Sequence, residues 1–127
     1  MKIMLVDDNA EIRRLLKTAL ARHAAEFVEC ADGTEAVAAF GLHHPDWTIM
    51  DVAMKPMDGL EATRQITTRH AGSRILMLTQ FDTPPMRAAA RQAGAVGFLS
   101  KDRLGEIAEL LDQATGDGSQ PVAPEPR

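Results

Sequence analysis

The stretch IMLVDDNAE, residues 3–11, runs four consecutive apolar residues directly into two adjacent carboxylates, Asp7 and Asp8. Four apolar residues in a row suit a parallel strand covered on both faces. Two acids where such a strand ends would repel unless something neutralises them. Four more apolar runs of strand length follow, at residues 27–30, 47–50, 75–78 and 96–99.

Between the runs lie segments of helical periodicity. Ile12, Leu15, Leu16, Ala19 and Leu20 fall on one stripe, Met86, Ala89, Ala90 and Ala93 on another, and Leu104, Ile107, Leu110, Leu111 and Ala114 on a third. Val37 with Phe40, and Leu60 with Thr63 and Ile66, mark two weaker helices. Boundary residues agree: Thr83 precedes Pro84 and Pro85 as a cap, and Gly94 stands just past the helix end. Gly33 and Gly59 open the second and third helices, the latter capped by Asp58. Five β–α units in strict alternation predict an α/β fold, a parallel sheet with right-handed crossovers and helices on both faces. Ligands of such sheets sit at the carboxyl ends of the strands.

A chain of 127 residues is the size of one domain, and 45 % apolar with 25 % charged residues is a globular composition. Its net charge of −4 leaves no basic surface for phosphates, so direct DNA binding is not expected. Cys30 is the only cysteine, which excludes an internal disulfide and a cysteine zinc site and suits a reducing compartment. The start, MKIMLVDD, is too short in apolar residues for a secretion signal or a membrane span, so a cytoplasmic location is expected. The apolar pattern stops after Ala114 and GDGSQPVAPEPR follows. Residues 1–115 are therefore read as the folded domain, and 116–127 as a disordered Pro-rich tail with no effector domain after it.

The proposed sheet brings Asp7, Asp8 and Asp51 to one edge, since neighbouring strands lie ~5 Å apart. A hard divalent cation would relieve their repulsion, and Mg²⁺, which prefers oxygen ligands and phosphate partners, is the expected one. Thr79 at the end of the fourth strand and Lys101 just past the fifth reach the same edge. A hydroxyl donor and an ammonium facing a metal-bound carboxylate form a site for phosphoryl oxygens.

Together, DD after the first strand, Asp51 in DVAMKPMDG, Thr79 in LMLTQ and Lys101 in GFLSKD resemble the receiver domain of two-component response regulators. The GFLSKD ending looks most like receivers that usually precede a helix-turn-helix effector, although a stand-alone receiver is expected here. The resemblance implies the flavodoxin-like (βα)5 three-layer sandwich of the chemotaxis receivers, with strand order 2-1-3-4-5. It implies Asp51 as phosphoacceptor from a sensor histidine kinase or histidine phosphotransfer protein. It also implies Mg²⁺ on Asp8, Asp51 and the Ala53 carbonyl, with Asp7 acting through water. Lys101 would pair with the phosphoryl group and Thr79 would donate to it. Thr79 and Phe98 would switch contacts with a downstream protein on the face made by the fourth helix, fifth strand and fifth helix. Homodimerisation on phosphorylation is a further possibility, and the only catalysis implied is of the domain's own phosphoryl transfer and dephosphorylation.

Plainer readings stand beside these. Asp8 with Glu11 also forms an N-cap pattern, Asp51 alone could be a turn residue, Thr79 a β-branched strand residue and Phe98 core. His23, His43, His44 and His70 lack metal-ligand spacing and read as surface residues near helix ends, while Met4, Met50 and Met77 read as core. Three positions depart from the family pattern. Proline falls at Pro56, with Lys55 where proline is usual; Gln80 replaces a small residue; Asp102 follows Lys101. Lys55 could influence partner choice, and Gln80 could obstruct Asp51 or bond the phosphoryl group. Ala53 and Phe81 flank the path of a hydrolytic water and cannot orient it, so slow hydrolysis is expected. A phosphatase of the haloacid-dehalogenase type would need an acid where Ala53 stands, and no GxGxxG or Walker-type loop supports a flavin or nucleotide module. A phosphate sink or relay, or a receiver that is folded but never phosphorylated, would carry the same fold.

Overall fold

A computed structural model describes residues 1–115, and the expected tail, 116–127, lies outside the described residues. Five strands, β1 (Lys2–Val6), β2 (Glu26–Cys30), β3 (Trp47–Asp51), β4 (Ile75–Thr79) and β5 (Gly97–Ser100), alternate with helices α1 (Ala10–Ala19), α2 (Gly33–His43), α3 (Gly59–Arg69), α4 (Pro84–Ala93) and α5 (Ile107–Thr115). All strand pairings are parallel, and the sheet order is β2-β1-β3-β4-β5, as expected.

Strand alternation divides the apolar residues between two layers. Ile3, Leu5, Trp47, Ile49, Leu76, Leu78 and Leu99 pack with Leu16 and Leu20 of the α1 region and Ile107 and Leu111 of α5. Met4, Val6, Met50, Ile75 and Met77 pack on the other face with Ala36 and Phe40 of α2, Ala62 and Ile66 of α3 and Ala90 of α4. The central strands β3 and β4 are buried along their whole length, which is why they read as unbroken apolar runs.

Caps set the helix starts. Asp32 accepts from Glu35 N–H at 3.0 Å, Asp58 from Glu61 N–H at 2.8 Å, and Thr83 from Met86 N–H at 3.2 Å. The plainer reading of Asp8 as the cap of α1 does not hold: Asn9 accepts from Glu11 N–H at 2.8 Å.

Four other expectations change. Leu15, assigned to the buried stripe of α1, is 47 % exposed, since the stripe of so short a helix narrows to Ile12, Leu16 and Leu20. Val96, assigned to the fifth strand, precedes it; its N–H donates to the Ile75 carbonyl at 2.9 Å while its side chain is exposed. The third apolar stripe is not one helix, because Lys101–Glu106 forms a tighter 3₁₀ turn, with Arg103 out of helical conformation, before α5 begins at Ile107. His23 is no simple surface residue: its ring is mostly buried and lies 2.7 Å from Asp112.

Gly59 seats the start of α3 against the end of β3, its N–H donating to the Val52 carbonyl at 2.8 Å. A Cβ there would stand 1.9 Å from the Asp51 carbonyl oxygen. Gly59→Ala must therefore push α3 away from β3. A loss of about 3 kcal/mol is expected in urea unfolding followed by circular dichroism.

Candidate functional site

The alternation that sorts the core also assembles the site. Leu5 pairs with Ile49 and Leu78 with Leu99. Two residues beyond Leu5, Ile49 and Leu99 come Asp7, Asp51 and Lys101, which continue the same side of the sheet past its carboxyl edge. Lys101 Nζ lies 2.9 Å from Asp7 Oδ2 and 3.0 Å from Asp51 Oδ1. Asp7 is fully buried and Asp51 nearly so, while Asp8 is exposed. One carboxylate oxygen from each of the three aspartates falls within 4.8 Å of the others.

Burial pushes the Asp51 carboxyl above the usual carboxylate range; the Lys101 ammonium pulls it back, and the Asp7 charge adds to the rise. Burial works against the Lys101 ammonium too, but close pairing with Asp7 and Asp51 outweighs it and leaves the lysine above its ordinary value. Asp7 Oδ1 accepts from Asn9 N–H at 2.9 Å. Its Oδ2, despite the nearby ammonium, is buried without a hydrogen bond of good geometry. An under-satisfied buried carboxylate oxygen beside two further carboxylates is a donor set of hard oxygens only, and it fits Mg²⁺. The Val52 carbonyl is taken by Gly59 N–H, whereas the Ala53 carbonyl accepts no hydrogen bond among the described residues.

Above Asp51 opens a cleft of about 330 Å³ whose walls include Asp8, Ala53, Thr79, Gln80, Phe81 and Lys101. The Thr79 hydroxyl accepts from Phe81 N–H at 3.0 Å and makes only a long 3.5 Å contact to the Phe81 carbonyl. Gln80 and Phe81 are exposed at the rim, Phe81 by 66 %. Lys55 follows Asp51 on the next loop, where the Lys55–Pro56 peptide is cis, and it lines an adjoining cavity with Asp8 and Asp58. Phe98 is half-buried beneath Arg87, whose guanidinium carbon lies 5.3 Å from the ring centre. Arg87 also holds Asp82 through two hydrogen bonds, at 2.6 and 2.9 Å.

Two groups at the site were not foreseen. Asn9 caps α1, which leaves Asp8 uncommitted, and Arg13 donates to the Asp7 carbonyl at 2.6 Å. A cation one turn into the helix that follows an acidic pair was the available signal for Arg13.

Residues 3–113 match the family model for the response regulator receiver domain. The chain is 37 % identical over 101 residues to the chemotaxis protein CheY of Bacillus subtilis, covering 79 % of this chain and 84 % of that protein. It is 38 % identical to the transcriptional regulatory protein PdtaR of Mycobacterium tuberculosis, again over 79 % of this chain but only 49 % of the relative's length. Among solved structures, Vibrio cholerae CheY4 superposes with a TM-score of 0.80 at 30 % identity, covering 88 % of this chain and 96 % of that one.

The raised Asp51 carboxyl gives a pH test. A native state that binds the proton more tightly than the unfolded chain gains stability from this group below the ordinary aspartate value of about 3.9, and loses it as pH rises through the folded value. In chelator, Asp51→Asn is expected to raise Tm by a few degrees at pH 7 to 8, roughly, with the gain shrinking as the buffer is taken down through the carboxylate range. A scanning calorimetry series across pH checks both the sign and the window.

Proposed function

Because the chain belongs to the response regulator receiver family, with 111 of its residues spanned by the match over 3–113, we propose that it takes a phosphoryl group onto Asp51 and changes its protein contacts as a result. The donor is a phosphohistidine on a sensor histidine kinase or a phosphotransfer protein. The observation that carries this reading is the Lys101 ammonium set within 3.0 Å of both buried carboxylates, with Asp8 beside them. A structural ion pair needs one acid, and this cation faces two at the floor of an open cleft.

Asp8, Asp51 and the Ala53 carbonyl would hold Mg²⁺, with Asp7 reaching it through water. When bound, the ion supplies positive charge to the oxygens of the transferring group. An Asp51 carboxylate oxygen forms the new O–P bond as the P–N bond to the partner imidazole breaks, and the imidazole leaves with that electron pair. Lys101 neutralises a phosphoryl oxygen from the other side. Thr79 then exchanges its 3.5 Å contact with the Phe81 carbonyl for a charge-assisted bond to the phosphoryl group, so little is lost in the exchange. Movement of Thr79 makes room for Phe98, and the two shift an existing equilibrium on the α4, β5 and α5 face.

The partner read there is a downstream protein or a second copy of this chain; the net charge of −4 disfavours DNA. No helix among the described residues is long and apolar enough to cross a membrane, and we place the domain in the cytoplasm, which suits its single, buried Cys30. Lys55 and Gln80 act at the rim as modulators of access.

Intact mass after incubation with Mg²⁺ and acetyl phosphate tests the proposal. A gain of one phosphoryl group, abolished by Asp51→Asn and by chelator, is the expected result; no gain with acetyl phosphate or phosphoramidate overturns it. Ala53 and the exposed Phe81 line the cleft beside the acceptor, and neither side chain can orient a hydrolytic water. The phosphorylated mass should therefore decay over minutes or longer, and a half-life of seconds would count against that part.

A further inference from the structure

The Asp7–Asp8 pair is held unequally. Asp7 is fastened at three polar groups, and the fourth faces a cation: its N–H donates to the Cys30 carbonyl at 3.1 Å, its Oδ1 accepts from Asn9 N–H, its carbonyl accepts from Arg13 Nη1 at 2.6 Å, and its Oδ2 lies near Lys101. Asp8 makes no hydrogen bond or ion pair among the described residues. Its placement depends on the two peptides that flank it: Asn9 N–H holds the one after it to Asp7 Oδ1, and the one before it is planar, so whatever fixes the Asp7 carbonyl oxygen helps to set the direction in which the chain delivers Asp8.

Arg13 is itself locked. Its Nε donates to Glu29 Oε1 at 2.8 Å, and the other oxygen, Oε2, accepts from Lys17 at 2.8 Å. Hydrogen bonds from Lys17 and then Arg13 hold the Glu29 carboxyl below its usual range, so the anchor remains ionised into acid. The guanidinium thus gives its Nε to Glu29 of β2 and its Nη1 to the carbonyl between the two aspartates.

We propose that Arg13 is a positioning residue of the acidic site: by fixing the Asp7–Asp8 peptide it aims the exposed Asp8 carboxylate at the cation shared with Asp51. This rests on the reading of Asp8 as a Mg²⁺ ligand. Charge and geometry pull in opposite directions here, which makes the inference testable. Removing a cation from the neighbourhood should, by electrostatics alone, tighten binding of another cation. Removing a support of the ligand should weaken it, typically by tenfold or more.

The measurement is Mg²⁺ affinity by isothermal titration calorimetry on the full chain, for the wild type, Arg13→Ala, Arg13→Lys, Arg14→Ala and Asp8→Asn. Arg14 lies next along α1, pairs with Glu11 and does not touch Asp7, so its variant reports the charge effect alone. Expected is a roughly tenfold weaker Mg²⁺ for Arg13→Ala and a smaller loss for Arg13→Lys, whose single ammonium cannot serve both Glu29 and the carbonyl. Arg14→Ala should be unchanged or slightly tighter. The rate of phosphorylation by acetyl phosphate should fall for Arg13→Ala at low Mg²⁺ and recover at saturating Mg²⁺. If Arg13→Ala lowers Tm but leaves Mg²⁺ affinity within twofold of wild type, Arg13 is only a fastening between α1 and β2 and the inference is wrong. Should Arg13→Ala fail to fold, Arg13→Lys decides by the same criterion. If wild type and Asp8→Asn bind Mg²⁺ equally, the assignment of Asp8 fails first and that of Arg13 with it.

Discussion

Everything at the carboxyl edge of the sheet depends on a single cation placed between two buried anions. Asp7 and Asp51 are brought together by the parallel register of β1 and β3, and both are buried. Two such carboxylates would cost several kcal/mol in isolation. Lys101 meets that cost from β5, two strands away from β3, and so the chain must complete its last strand before its first acidic pair is compensated. The compensation is incomplete, because one ammonium faces two carboxylates and Asp7 Oδ2 lacks a well-formed hydrogen bond. A site left short of positive charge is suited to attract a metal ion.

The fold was legible because its signals are periodic and local. Apolar runs of strand length, stripes of helical period, caps at Asp58 and Thr83, and Gly94 after α4 each state a local preference that agrees with the global arrangement. The acidic cluster was legible because strand ends in a parallel sheet share one edge. What escaped was finer than periodicity. Asp8 and Asn9 are equally good caps by type, and only the path of the turn chose Asn9. Leu15 has the right spacing for the α1 stripe, but α1 meets the sheet along too narrow a line to cover it. The 3₁₀ turn at Lys101–Glu106 preserves the apolar rhythm while breaking the helix. The position of Arg13 one turn into α1 hinted at the acidic pair, but its contact is made to a backbone carbonyl, which the side-chain pattern does not specify.

The loop after β4 ties response to site through short links. Thr79 is fastened to Phe81 two residues on, Asp82 follows directly, and Arg87 joins Asp82 to the face of the Phe98 ring. Thr79 and Phe98 are therefore connected in two ways, by proximity across neighbouring strands and by an ionic bracket that spans the loop and the first turns of α4. The bracket ends on a surface containing Arg87, Arg91, Val96 and Phe98.

The two-residue rhythm of the strands also restricts how such a chain can change length over time. Leu5, Ile49 and Leu99 share a face with Asp7, Asp51 and Lys101 only because the two members of each pair are offset by two positions. Adding or deleting one residue inside β1, β3 or β5 would turn the charged group to the opposite face while leaving composition and apolar content almost untouched. Connections at the amino edge carry no such parity, since the stretches before β2, β3 and β4 end before the register begins. Drift in length should accordingly collect at that edge, away from the acids, and the distance from core to site should stay fixed even where the residues between them do not.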